Sequence, residues 1–246
     1  MSDPEEGRSR TDERVAHERR AENLEQRLDF QPVRPMASAG SLAVKAVVVT
    51  AALLVAGVLT LLGLRGDADA VGPWTLWGAF VFELVLTYAL FAMLFSETVP
   101  SRKLRPSVWA AVPPLIFAVQ LGVAYLTYLN SPLTPALDRA TSVGVTCMGR
   151  MALMGLIPLG LGFWLLSRGL PLRPRLSGLL VGLVSGLLAD SVYRLHCPYS
   201  AHQHILNWHS VAVLLLGILG FGAGVLWDLM AIRRWRARRS GREPSS

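Results

Sequence analysis

The chain has 246 residues, 52% of them hydrophobic and 17% charged, with a mean hydropathy of +0.42. That is too apolar for a soluble domain of this length and fits a chain that crosses a membrane several times, leaving no room for a large soluble domain. The formal net charge of +7 does not point to direct nucleic-acid binding, because the basic residues sit in short loops and a terminal segment beside apolar stretches, a pattern that belongs to membrane topology.

Residues 1–40 carry seven arginines and nine acidic residues, with too few large apolar side chains to form a core, and read as a segment disordered when free. No apolar stretch follows a basic start, so no signal peptide is expected and the first membrane helix is expected to drive insertion. Thr11, Asp12 and Glu13 supply a capping hydroxyl and first-turn acids, and Val15, Ala21, Leu24 and Leu28 form a narrow stripe along residues 12–29. The segment is either a frayed, solvated tail or a helix that folds on a partner.

Six apolar stretches follow, at residues 41–64, 75–96, 107–129, 143–167, 176–194 and 208–230, each near the roughly 20 residues needed to cross hydrocarbon. The expected fold is all-α, a polytopic membrane protein of six transmembrane helices. Its expected divisions are a polar N-terminal segment (1–40), the transmembrane domain (41–230) and a basic tail (231–246). The loops at 97–106 and 168–175 and the tail together hold twelve lysines and arginines, whereas the alternate loops hold Arg65, Arg139 and Arg194. Because cytoplasmic loops retain basic residues, both termini are expected to be cytoplasmic.

Lys45, Glu83, Gln120, Arg150, Asp190 and Asp228 fall within these stretches or at their ends, where an unpaired charge is costly. Lys45 and Asp228 can snorkel to an interface. Arg150 and Asp190 are expected on the same side, within reach of pairing. Glu83 sits mid-helix and needs a proton, a hydrogen bond or a cation. Gly178, Gly182 and Gly186 recur every fourth residue of the fifth helix, a smooth strip suited to close helix packing.

The charge argument also places Cys147 and Cys197, the chain's two cysteines, on one outer side. Cys197 lies in His196-Cys197-Pro198-Tyr199, followed by His202, His204 and Trp208-His209, so four of the five histidines fall within fourteen residues. By helical spacing, His202 shares a face with His209, and His204 with Trp208. Three readings stay open: a structural disulfide, a redox or metal sensor, and two packing thiols. A metal here would be zinc or another soft ion, with Cys147, Cys197, His196, His202 and His209 as candidate ligands; the spacing matches no standard zinc-finger pattern.

With these features the chain resembles the NrsF-type bacterial membrane anti-sigma factors. The resemblance spans about residues 28–235 and rests on six helices after a polar N-terminus, Cys147 in the outer part of the fourth helix, and His196-Cys197-Pro198 followed by Trp208-His209. It implies a non-enzymatic protein of the bacterial inner membrane that holds an extracytoplasmic-function sigma factor inactive and releases it on oxidative or heavy-metal stress. Carried over, Cys147 and Cys197 are the sensing pair, and His196, Pro198, Trp208 and His209 belong to the motif around it. The N-terminal contact with the sigma factor maps to Leu24, Leu28, Phe30, Val33 and Arg34.

Two rival functions are weaker. A rhomboid-like serine protease would use Ser185 and His209, but Leu183-Val184-Ser185-Gly186 lacks the Gly-x-Ser-Gly pattern. A transporter or a metal- or haem-binding membrane protein would use Glu83, Arg150, Asp190 and the outer Cys/His cluster, yet no inverted repeat is visible and the histidines are grouped in one segment instead of on facing helices.

Overall fold

The computed structural model describes residues 39–96, 105–130, 140–167, 173–199 and 202–240. The expected sigma-binding residues Leu24, Leu28, Phe30, Val33 and Arg34 lie outside the described residues. The described residues form helices and no strands. The principal helices are α1 (Ala39–Leu61), α2 (Pro73–Ser96), α3 (Pro106–Asn130), α4 (Ala140–Ser167), α5 (Pro174–Tyr193) and α6 (Ser210–Ser240). Among the described residues, six helices are long and apolar enough to cross a membrane. A short helical turn, Ala68–Val71, precedes α2, and His202–His204 with the π turn Ile205–His209 leads into α6.

The helices begin where the sequence supplies proline, at Pro73, Pro106 and Pro174; a first-turn proline has its φ already set and its missing N–H is not needed. α6 runs past the expected end at residue 230 to Ser240, because arginine is a good helix former and nothing in Arg233–Arg239 breaks the pattern.

The helix α5 is the axis of the bundle. Ser177, Gly178 and every residue from Leu180 through Tyr193 are buried, and α5 touches each of the other five long helices. Its most extensive partner is α6, and the glycine strip is the reason. A Cβ at Gly178 would meet the Gly220 carbonyl, one at Gly182 the Leu216 carbonyl, and one at Gly186 would lie 2.7 Å from Val213 Cα. The two backbones therefore touch, which gives van der Waals contact and no side-chain entropy loss. The outer helices bury only a stripe and turn large apolar side chains outward, among them Leu53, Leu153 and Ile218.

Among α5's neighbours, α2 and α3 bring two buried polar residues, Glu83 and Gln120, against its C-terminal end. The expected Arg150–Asp190 pair does not form. Arg150 is exposed, while Asp190 turns inward to Arg194, Gln120 and His209. Arg194 lies one helical turn after Asp190 on the same face, so it reaches the carboxylate along the helix where Arg150 would have to cross from α4.

Candidate functional site

The C-terminal end of α5 and the segment after it assemble the site. Loop 62–67, between α1 and α2, fastens that segment. Gly63 has φ +79°, a left-handed conformation that glycine adopts without a Cβ penalty. The turn it makes presents its carbonyl to His196 Nδ1 at 3.0 Å. Arg65 donates its backbone N–H to the Leu195 carbonyl at 2.9 Å and its guanidinium to the Pro198 carbonyl at 3.2 Å. The same guanidinium grips Asp67 with two bonds of 2.5 and 2.7 Å, and this pairing holds the Asp67 carboxyl below the usual carboxylate range. His196-Cys197-Pro198 is thus held by backbone and charge on both sides.

Cys197 is thereby set opposite Cys147 of α4, with Sγ···Sγ 3.9 Å. Both are free thiols and both are buried. The neighbouring Cys147 sulfur and burial push the Cys197 thiol up, so it is protonated at neutral pH. Tyr193 completes this side, its hydroxyl donating to Cys147 Sγ at 3.7 Å. A cleft of about 250 Å³ lined by Cys147, Arg150, Tyr193, His196, Cys197 and Tyr199 reaches both cysteines.

The histidines approach from the start of the last helix. Helical spacing pairs His204 with Trp208, but the structure pairs His204 with His209, their ring centroids 5.3 Å apart. The cause is the π turn: the Ser210 N–H donates to the Ile205 carbonyl, five residues back. A π turn adds one residue per turn, so residues five apart share a face there. Trp208 instead lies over Gly144 of α4, where any Cβ would collide with the indole.

Four donor atoms, from Cys147, Cys197, His204 and His209, all lie within 4.8 Å of one another, and all four residues are buried. Of the ligands expected from the sequence, Cys147, Cys197 and His209 come together. His196 does not, its Nδ1 being committed to Gly63, and the His202 side chain lies outside the described residues. His204 was missed because an unbroken α-helix turns it away from His209. Its Nε2 lies 3.6 Å from Cys197 Sγ, and its ring packs on Tyr199 at 5.2 Å.

Behind the cluster lies a charged network. His209 Nδ1 is 2.6 Å from Asp190 Oδ1. Asp190 Oδ2 accepts from Arg194 at 2.8 Å and from Gln120 at 3.0 Å, and Arg194 Nε stands 3.7 Å from Glu83 Oε1. Glu83, the mid-helix acid, therefore has its cation in Arg194. Two carboxylates face one guanidinium in a fully buried site, so a proton on His209 or Glu83 completes the charge balance.

The profile of a family described as negative regulator of sigma F, NrsF, matches residues 28–227. A curated relative named anti-sigma-F factor NrsF, from Caulobacter vibrioides, is 40% identical over 79 residues, which is 32% of this chain and 37% of the relative. The match thus spans just over a third of that relative's length. No solved structure matches.

Proposed function

Since the chain belongs to the NrsF family, negative regulators of sigma F, we propose that it is a membrane-bound anti-sigma factor, a regulator and not an enzyme. It holds an extracytoplasmic-function sigma factor inactive and releases it when the Cys147–Cys197 pair is modified by oxidative or heavy-metal stress. The observation that carries this reading is the family match over residues 28–227, which takes in both cysteines and five complete apolar helices with most of the sixth.

The bundle sits in the bacterial inner membrane with both termini cytoplasmic. The apolar outer faces of α1–α4 and α6 support insertion, and the twelve-to-three division of basic residues supports the orientation. Two of those three outer arginines, Arg65 and Arg194, are held in ion pairs, so they add little free positive charge to that side. The cysteines then face the oxidising compartment, and the N-terminal segment, through Leu24, Leu28, Phe30, Val33 and Arg34, binds the sigma factor on the other side.

A sigma-dependent reporter tests both ends. Cys147→Ser and Cys197→Ser are expected to blunt induction by oxidants and cadmium with membrane levels unchanged. Leu24→Asp combined with Leu28→Asp is expected to free the sigma factor without stress. Normal induction in both cysteine variants sinks the sensing role, and continued repression in the leucine variant moves the binding element elsewhere. Failure of the full-length chain to copurify with its co-expressed sigma factor sinks the reading as a whole.

A further inference from the structure

We propose that Cys147, Cys197, His204 and His209 form a tetrahedral site for a single soft divalent cation of the zinc and cadmium class, with Asp190 as the residue that orients His209. This deepens the sensing role assigned to the same cysteines, and rests on it only for its consequence in the cell.

Three independent features carry the assignment. The first is the donor set: two sulfurs and two imidazoles are the Cys₂His₂ combination that such ions prefer. The donors lie within 4.8 Å of one another. A tetrahedron with metal bonds of about 2.0–2.3 Å needs donors about 3.3–3.8 Å apart. The Cys197 Sγ···His204 Nε2 separation of 3.6 Å falls within this range and the Sγ···Sγ separation of 3.9 Å lies just above it, so the site closes by small side-chain movements.

The second feature is a buried ring nitrogen without a hydrogen-bond partner. His209 is 1% exposed and its Nε2 has no hydrogen-bond partner. Buried polar atoms are normally satisfied. Here His209 spends Nδ1 on Asp190 at 2.6 Å, which fixes the tautomer with its proton toward the carboxylate and leaves the Nε2 lone pair for a ligand. This carboxylate–histidine arrangement is the one by which proteins orient a metal-binding imidazole.

The third is access and rigidity. The 250 Å³ cleft opens on both cysteines. The Arg65 and Gly63 contacts fix the Cys197 backbone, so little ordering remains to oppose binding. Binding forms two metal–sulfur and two metal–nitrogen bonds. The two thiols each lose a proton to solvent, and no electrons move.

The test uses the purified full-length protein in detergent, stripped with a chelator and titrated with zinc, cadmium and, as a spectroscopic probe, cobalt(II). The expected result is one equivalent bound, with protons released, both thiols protected from alkylation, and the intense visible bands of tetrahedral cobalt with sulfur ligation. His209→Ala and His204→Ala each weaken binding at least tenfold, and Asp190→Asn by about 10–100-fold. Octahedral cobalt bands, no binding, or equal affinity in a His204→Ala and His209→Ala double variant would overturn the site. The cobalt spectrum of the unaltered chain decides the matter even if a variant fails to fold. Because no sigma factor is present, loss of metal binding with normal reporter control overturns this site alone, and the reverse result overturns the regulatory reading alone.

Discussion

His209 joins the two halves of the site, and its position explains why neither half works as a separate unit. One ring nitrogen meets Asp190 and the other faces the sulfurs, so any change at the thiols is felt one bond away by a carboxylate that also holds Arg194 and Gln120. Arg194 balances both Asp190 and Glu83. Arg194→Leu would leave those acids buried and uncompensated, and we expect a loss of about 3–5 kcal/mol in unfolding stability, measured by denaturant unfolding in detergent. An unchanged stability would show that the acids are neutralised from elsewhere. The Cys197 thiol gives a second residue-level prediction. Because its thiol is pushed up by Cys147 and by burial, its reactive thiolate is scarce at neutral pH and grows as pH rises toward the raised value. Alkylation of the Cys197-containing peptide, followed by mass spectrometry in metal-free protein, should be slower than for a free cysteine at pH 7 and rise about tenfold per pH unit above it. A rate at pH 7 equal to that of a free thiol would contradict the geometry.

At the scale of elements, the π turn Ile205–His209 is the feature that makes the site and the one the sequence hides. Hydrophobic length reveals the six helices long and apolar enough to cross a membrane, and the glycine strip of α5 reveals the tight α5–α6 packing. The cysteine pair and His209 were also readable from their motif. His204 was not, because a change from α to π hydrogen bonding leaves no mark in composition and shifts the register by one residue. The Asp190–Arg194–Glu83 network was hidden for a related reason: charge partners in a bundle are chosen by which helices neighbour each other, and helix order in space is not written in helix length. Register makes a direct prediction. Deleting exposed Asn207 turns the π turn into an α turn with the two histidines four apart, still on one face, so cobalt binding should persist. Inserting one alanine after Asn207 puts them six apart and should abolish it. If the deletion also abolishes binding, the π geometry itself is required.

For the whole molecule, the arrangement is a bundle whose best-packed helix ends in its most polar site. In the proposed function a signal at the cysteines acts on α5, and α5 contacts every other long helix, so a shift of its C-terminal end cannot be absorbed locally in a packed interior. The glycine contacts bring the α5 and α6 backbones together, and α6 continues through Arg233 to Ser240, at the end of the bundle opposite the cysteines. There Arg175 of α5 and Asp228 of α6 are joined at 3.0 Å, a second tie between the same helices. This is a continuous set of contacts from the cysteine end to the other face without any moving domain. Their continuity has meaning only if the two ends face different compartments, and that is testable on intact cells. Under reducing, metal-free conditions, a membrane-impermeant maleimide should label Cys147 and Cys197 through the cleft without lysis, while a cysteine introduced at Ser240 should react only after the membrane is opened. Arg150→Glu, at the mouth of the cleft, should alter the labelling rate of charged reagents but not of neutral ones. Labelling of the two native cysteines only after lysis would reverse the orientation and place the thiols on the cytoplasmic side.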